Sequence, residues 1–194
     1  MKYLFAFCLL YPWASLSWGQ APTAFPVDPT THRIRYTGSV PVTGRRPADL
    51  LASAQVWAKG ISPPDKPAVS THTPDGEQLV VQGAQPFSYT YRYAPPEKAV
   101  SVPQHYTTRL VLHYTATLSL QDGRYEYDVT DFVLESPTAQ PAASAQHPAE
   151  YSLLDAHPLT ERGTSGLTAK RTSFQEAIQQ LLAQLQQQMS QAAR

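Results

Sequence analysis

Residues 110–135, LVLHYTATLSLQDGRYEYDVTDFVLE, constrain the fold more than any other part of the chain. Apolar and polar residues alternate in both halves, and an Asp-Gly pair separates the halves. Alternation at period two is typical of a half-buried strand, and Asp-Gly is a strong hairpin signal. We therefore predict a long antiparallel ribbon with a type I′ turn at Asp122 and Gly123, which pairs Gln121 with Arg124.

Counting outward from that turn assigns every side chain of the ribbon to a core face or a solvent face. The predicted core face holds Tyr106, Leu110, Leu112, Tyr114, Ala116, Leu118, Leu120, Tyr125, Tyr127 and Val129. The predicted solvent face holds Arg109, His113, Thr115, Thr117, Ser119, Gln121, Arg124, Glu126, Asp128 and Thr130. The alternation slips at Asp131, because Phe132 and Leu134 belong with the core. One extra residue repairs the phase, so we predict a β-bulge near Thr130 and Asp131.

Three more strands and a helix precede the ribbon. Residues 32–42 alternate as a strand, and Pro41 near its end suggests a sheet edge. Residues 68–73 and 77–93 read as two strands around a Pro-Asp-Gly turn. Between the first and the second of these three strands, a helix is expected from Pro47 to Gly60. Its one apolar stripe is formed by Leu50, Leu51, Ala54, Trp57 and Ala58. Trp57 lies on that stripe, which makes it a core residue.

A late helix is predicted over residues 172–191. Ser173 and Glu176 have the spacing of a capping box, which starts a helix. An apolar stripe follows on a glutamine-rich cylinder, formed by Phe174, Ile178, Leu181, Leu182, Leu185 and Met189. We expect this stripe to pack on the sheet, and dimerisation through it is the alternative.

The first residues, MKYLFAFCLLYPWASLSWG, have the pattern of a secretory signal peptide. The apolar run is shorter than the ~20 residues that span a bilayer, so we expect cleavage and no stable membrane insertion. Cys8 lies inside this segment, so the mature chain would lack thiols. The predicted organisation is a signal peptide (1–19), an extended lead-in (20–31), an α+β domain (32–136), a linker or connector (137–171) and the late helix (172–191). The localisation that follows is periplasmic or secreted.

These elements define an α+β fold, a two-layer sandwich with an antiparallel sheet of about five strands and a C-terminal helix. The segment YTGSVPVTGRRPADLLASAQVWAKG, with Trp57 on the helical stripe, and the ending YEYDVTDFVLE together resemble a family of exported bacterial domains of unknown function. The resemblance covers residues 32–135 and implies a TBP-like fold. It implies no activity, so no catalytic residue follows from it.

The residues show no pattern of a catalytic, cofactor or metal site. The six histidines lack metal-ligand spacing, and the sequence has neither a Gly-x-Ser-x-Gly elbow nor a glycine-rich phosphate loop. Lys plus Arg and Asp plus Glu both number 15, which argues against nucleic acid as a partner. Phe87, Tyr89, Tyr91 and Tyr93 share one strand face, either as sheet core or as a tentative binding surface for a sugar or peptide.

Three functions remain open at this point. The first is a non-catalytic binding or structural module of the bacterial envelope, whose partner is an envelope protein or a glycan. The second is self-assembly or partner docking through the late helix. The third is an unrecognised hydrolase that uses Glu126, Asp128 or His113, since paired carboxylates occur in glycosidases.

Overall fold

The computed structural model describes residues 25–61, 68–93, 104–137, 146–154 and 163–191. Within them, six strands form one antiparallel sheet and three helices pack on one side of it. The strands are β1 (Tyr36–Pro41), β2 (Val69–His72), β3 (Gln78–Tyr93), β4 (Gln104–Gln121), β5 (Arg124–Glu135) and β6 (Gln146–Pro148). The helices are α1 (Pro47–Gly60), α2 (Ala149–Leu153) and α3 (Gly163–Ser190). The predicted two-layer α+β sandwich is confirmed.

The sheet has the strand order β1-β5-β4-β3-β2, and β6 pairs with the second half of β5. The long strands β3 and β4 pair along all of β3, from Gln78 opposite Ser119 to Tyr93 opposite Gln104. Strand β1 lies at the edge beside the first half of β5, as Pro41 suggested. The long central hairpins therefore form the middle of the sheet, and the short strands close its margins.

The predicted register of the ribbon is confirmed, and so is its bulge. Leu118 lies opposite Tyr127, and Ala116 lies opposite Val129, both on the core side. The register then shifts between His113 and Thr115. Asp131 takes a φ of 55°, and this local turn returns Phe132 to the core, where it is 1% exposed.

The turn of the ribbon is not the predicted type I′. Gly123 has a φ of 71°, but Asp122 is not among the residues with positive φ, which type I′ requires at both positions. A neighbouring segment holds the turn: the Gly123 amide donates to the Arg45 carbonyl at 2.9 Å, and the Gly123 carbonyl accepts from the Val42 amide at 2.7 Å. These tertiary bonds decide the turn geometry, and local preference does not.

Helix α1 has the predicted bounds and the predicted buried stripe. Leu50, Ala54, Trp57 and Ala58 are buried, and Leu51 is half-buried. Pro47 opens the helix, where its missing amide costs nothing, and Asp49 follows in the positively polarised first turn. Trp57 is therefore part of the core, as the stripe predicted.

Helix α3 begins at Gly163, well before the predicted start, so the capping box at Ser173 is wrong. Ser173 lies in the helix interior. The additional turns are anchored elsewhere, since Arg171 Nε donates to the Leu153 carbonyl at 2.8 Å and Ser165 Oγ donates to the Arg92 carbonyl at 3.1 Å. The apolar stripe is buried as predicted at Phe174, Ile178, Leu181, Leu185 and Met189, whereas Leu182 is half-buried.

The stripe of α3 faces the sheet. The Phe174 ring lies 5.3 Å from the ring of Phe132 and 6.4 Å from that of Phe87, both in edge-to-face orientation. Gln85 Nε2, on the same side of β3, donates to the Ala177 carbonyl at 3.5 Å. Packing of the last helix on the sheet, the preferred of the two expectations, is confirmed.

Several residues that were expected to be connectors belong to the folded unit. Phe25, in the predicted lead-in, is buried, and its ring lies 5.5 Å from that of Phe174. The strand predicted from residue 32 begins at Tyr36, because His32 takes a φ of 55° and Ile34 forms only an isolated bridge with Val27. Strand β6 and helix α2 occupy part of the predicted linker.

The predicted signal peptide and its cleavage position lie outside the described residues. In the parts of the chain that are described, no helix combines the length and the hydropathy needed to cross a bilayer.

Candidate functional site

The candidate site is the face of the sheet opposite the helices, here called the open face. Alternation along β1, β4 and β5 directs Thr, Ser and charged side chains to this face while the apolar residues go to the core. The predicted solvent face of the ribbon is thus the open face. Two-sided alternation of this kind is typical of an antiparallel sheet with one wet face.

A shallow depression of about 450 Å³ lies on the open face, and we call it the central depression. Strands β1, β5, β4 and β3 all contribute to it. Its uncharged polar residues are Thr37, Ser39, Gln78, Thr117 and Ser119. Its charged residues are Arg35, Glu126 and Asp128. Gly38 adds no side chain to the floor, and a Cβ there on the helix side would lie 2.5 Å from the Tyr127 hydroxyl oxygen.

Arg35 joins the central depression to the turn that precedes β1. Its Nε and Nη2 donate to the two carboxylate oxygens of Asp128 at 2.9 and 2.6 Å, in the bidentate geometry that makes such pairs strong. Its Nη1 donates to Asp28 Oδ2 at 2.9 Å. The two carboxylates raise the pKa of Arg35. The Thr31 amide, and after it the Arg35 guanidinium, lower the pKa of Asp28 to about 2.

Two more depressions continue the central depression along the open face. One, of about 480 Å³, shares Arg35 and Asp128 with it and reaches Arg33 and Asp131, which form an ion pair. The other, of about 300 Å³, shares Asp131 with the second and reaches His113. We call the three depressions together the trough.

The uncharged side chains of the central depression are free for a ligand. Within the described residues, the side chains of Thr37, Ser39, Gln78, Thr117 and Ser119 make no hydrogen bond to other protein groups. A hydroxyl can donate once and accept twice, and a glutamine amide can do both. The depression therefore presents a dense array of donors and acceptors.

Of the residues proposed for hydrolysis, Glu126 and Asp128 line the same depression and His113 lies apart from them. Asp128 is held by Arg35, and Glu126 lies 3.9 Å from Arg124 Nη2. His113 Nε2 lies 2.6 Å from Glu135 Oε2 and lines a different depression from the two carboxylates. Within the described residues, no group of three or more His, Cys, Asp or Glu could hold a metal ion.

The tentative aromatic surface lies on the helix side of β3, not on the open face. Phe87 and Tyr91 are 4% and 8% exposed, and Tyr89 is half-buried. The Tyr89 and Tyr91 rings stack at 6.0 Å, and Tyr91 stacks on Tyr106 at 5.8 Å. The side chain of Tyr93 lies outside the described residues.

Sequence reasoning missed the contributions of Asp28 and Gln78 to the open face. The Asp28 carboxylate accepts from the amides of Thr30 and Thr31 at 2.8 and 2.9 Å, which is an Asx-type turn. The pattern Asp-Pro-Thr-Thr contains that signal, but nothing local indicates that Arg35 would meet Asp28. Gln78 was assigned to a strand without a face.

The comparisons support the fold and not a function. No family model matches the sequence, and no curated protein matches it. The chain is similar to the crystal structure of a TBP-like protein from Parabacteroides distasonis, with a TM-score of 0.57 and 12% identity over 83% of this chain and 95% of that one. The fold is TBP-like. A DUF4468 family protein from Bacteroides ovatus is also similar, with a TM-score of 0.56 and 10% identity over 87% and 93% of the two chains. These values confirm the expected fold, and the resemblance is to domains of unknown function.

Proposed function

We propose that this protein is an exported, non-catalytic module that binds a partner through the open face of its sheet. The observation that carries the proposal is the difference between the two faces of the sheet, one apolar and covered by helices, the other polar. Helices α1 and α3 pack on the helix side, while the open face holds a trough of polar side chains with unused hydrogen-bonding capacity. Convergent polar groups in a concave surface are the feature that fixes the orientation of a bound ligand.

Two features favour binding over hydrolysis. Asp128 is committed to two bonds with Arg35, and His113 is paired with Glu135 in a separate depression. General acid and base groups need to reach the same reacting bond, and His113 lines a different depression from the two carboxylates. The trough is also shallow, whereas a glycosidase needs an enclosed cleft that holds a sugar ring between two carboxyls.

The late helix contributes to the fold more directly than to assembly. Its apolar stripe is buried against the sheet from Phe174 to Met189, so the surface that a helical partner would recognise is already covered. The residues that it turns outward are mostly glutamines such as Gln179, Gln180 and Gln184, which are exposed.

Export rests on the sequence of the first 19 residues, and cell fractionation with N-terminal sequencing of the mature protein tests it. The contact surface can be tested in the same cells with a photo-crosslinking amino acid. We expect adducts from position 39 on the open face and none from position 56, which is an exposed valine on α1. Equal adduct formation from both positions would contradict the proposal.

A further inference from the structure

We propose that the trough on the open face binds a neutral oligosaccharide chain. This inference deepens the proposed function, on which it rests, because it names the chemical class of the partner. Its basis is the combination of hydroxyl density, the pairing of the arginines with carboxylates, and length along the trough.

The hydrogen-bonding groups of the central depression match a polyol. Thr117 and Ser119 are half-buried neighbours on β4, and Thr37 and Ser39 stand in register on β1. Strand β5 separates the two pairs, and on it Asp128 lies between Thr37 and Thr117 while Glu126 lies between Ser39 and Ser119. Each carboxylate has lone pairs left that can accept hydrogen bonds from sugar hydroxyls. Each Thr or Ser hydroxyl can donate a hydrogen bond to a sugar oxygen or accept one from a sugar hydroxyl.

The charges of the trough oppose an anionic ligand. Each of its arginines faces a carboxylate: Arg33 pairs with Asp131, and Arg35 pairs with both Asp28 and Asp128. A polyanion such as nucleic acid gains its affinity from cations that are free to neutralise phosphates, and these guanidinium groups are already neutralised. The carboxylate of Glu126, which pairs with neither of these arginines, would also repel an anionic sugar.

The shape of the trough favours a chain over a single ring. The central depression measures about 450 Å³, within the ~300–1,000 Å³ of small-molecule sites. The second depression, of about 480 Å³, continues it through the shared residues Arg35 and Asp128. A ligand that occupies both must extend from β4 across β5 to the turn at Asp28.

The proposal can be tested by titrating the isotope-labelled protein with two trisaccharides and following its amide resonances. Chitotriose is the neutral probe, and trigalacturonic acid is the anionic probe. We expect chitotriose to shift amide signals of β1, β4 and β5 around the central depression, and we expect trigalacturonic acid to leave them in place.

A matched pair of double variants separates the trough from the rest of the sheet. The substitutions Thr117→Val and Ser119→Ala remove two hydroxyls from the central depression. Because each hydrogen bond contributes on the order of one kcal/mol, the loss of both should weaken chitotriose binding about thirtyfold. The substitutions Ser88→Ala and Thr90→Val remove the same two groups from the open face of β3, outside the trough, and should leave binding unchanged. The amide spectrum of each variant also reports whether it is folded.

Three results would overturn the inference: no shift with chitotriose, equal binding of the anionic trisaccharide, or equal loss of binding in both double variants. The proposed function has a separate outcome. If the open-face crosslinker at position 39 captures a polypeptide while chitotriose fails to bind, the binding surface stands and its oligosaccharide ligand is wrong. If the crosslinker at position 39 captures no partner and chitotriose does not bind, both proposals fail.

Discussion

The substitution Gly83→Ala tests the close packing between the two longest strands. Gly83 lies directly opposite Tyr114, whose ring covers the glycine on the core side. A Cβ at position 83 would lie 2.5 Å from the Tyr114 hydroxyl oxygen and 2.6 Å from its Cζ. Tyr114 is 2% exposed, so its ring has no solvent to move into.

The magnitude follows from two opposing effects. Replacing a strand glycine by alanine restricts the unfolded chain and stabilises the fold by about 0.5–1 kcal/mol. Forcing one methyl group into a filled core costs about 1–3 kcal/mol. The second effect is larger, so Gly83→Ala should lower the free energy of unfolding by about 1–2 kcal/mol, measured by urea denaturation followed by tryptophan fluorescence.

The sign of the effect should reverse when the ring is shortened. In a Tyr114→Leu background the side chain no longer reaches Gly83, and adding the alanine there should stabilise the protein by about 0.5–1 kcal/mol. The coupling energy of the double-mutant cycle is then about 2 kcal/mol. A coupling near zero, or a stabilising Gly83→Ala in the wild-type background, would refute the reasoning.

Gly38 provides a matched control. Its Cβ would meet the Tyr127 hydroxyl oxygen at the same 2.5 Å, but Tyr127 is half-buried and Gly38 lies on the edge strand β1. The Tyr127 ring can therefore move outward. We expect Gly38→Ala to cost less than Gly83→Ala, by about 1 kcal/mol, in the same assay.

Two further predictions concern side chains that hold distant segments together. Arg45 donates hydrogen bonds to Ser53 Oγ and to the Gln191 carbonyl near the C-terminal end of α3. Because Arg45→Ala removes both bonds, it should lower the free energy of unfolding by about 1–2 kcal/mol. The control Arg46→Ala, at the exposed neighbouring residue, should change the free energy of unfolding by less than about 0.5 kcal/mol. Because the pKa of Asp28 is lowered in the folded protein, its carboxylate stabilises the fold above pH 4, and this contribution is lost as the pH falls toward 2. The variant Asp28→Asn lacks the carboxylate, so its urea midpoint should depend less on pH between 4 and 2.

Elements with a strong local pattern were predictable from the sequence. The ribbon, its register and its bulge followed from the Asp-Gly pair and the alternation around it, because only one phase places Leu118, Tyr127 and Phe132 on the same side. Helix α1 was predictable from its own local pattern, because the apolar stripe begins just after Pro47, a residue that is common in the first turn of a helix. The open face was predictable from the same alternation, because the side chains between the core residues of a strand point to the opposite side of the sheet.

Features that depend on distant contacts could not be predicted. The turn at Gly123 is held by backbone bonds from residues 42 and 45, which no local preference reveals. Helix α3 extends upstream because Arg171 and Ser165 bind groups on other elements. The pairing of Arg35 with both Asp28 and Asp128 joins three segments of the chain, so the neutralisation of this arginine could not be read from the sequence either.

Helix α3 has a consequence for the order of events during synthesis. The residues that it places against the sheet, from Phe174 to Met189, follow all six described strands in the sequence and are therefore made after them. Until they are made, the apolar side of the hairpins lacks the cover that α3 provides, and Phe25 lacks the ring of Phe174 as a neighbour. The complete core can therefore form only after α3 has been made, and a fragment that stops at residue 136 should remain unfolded or aggregate.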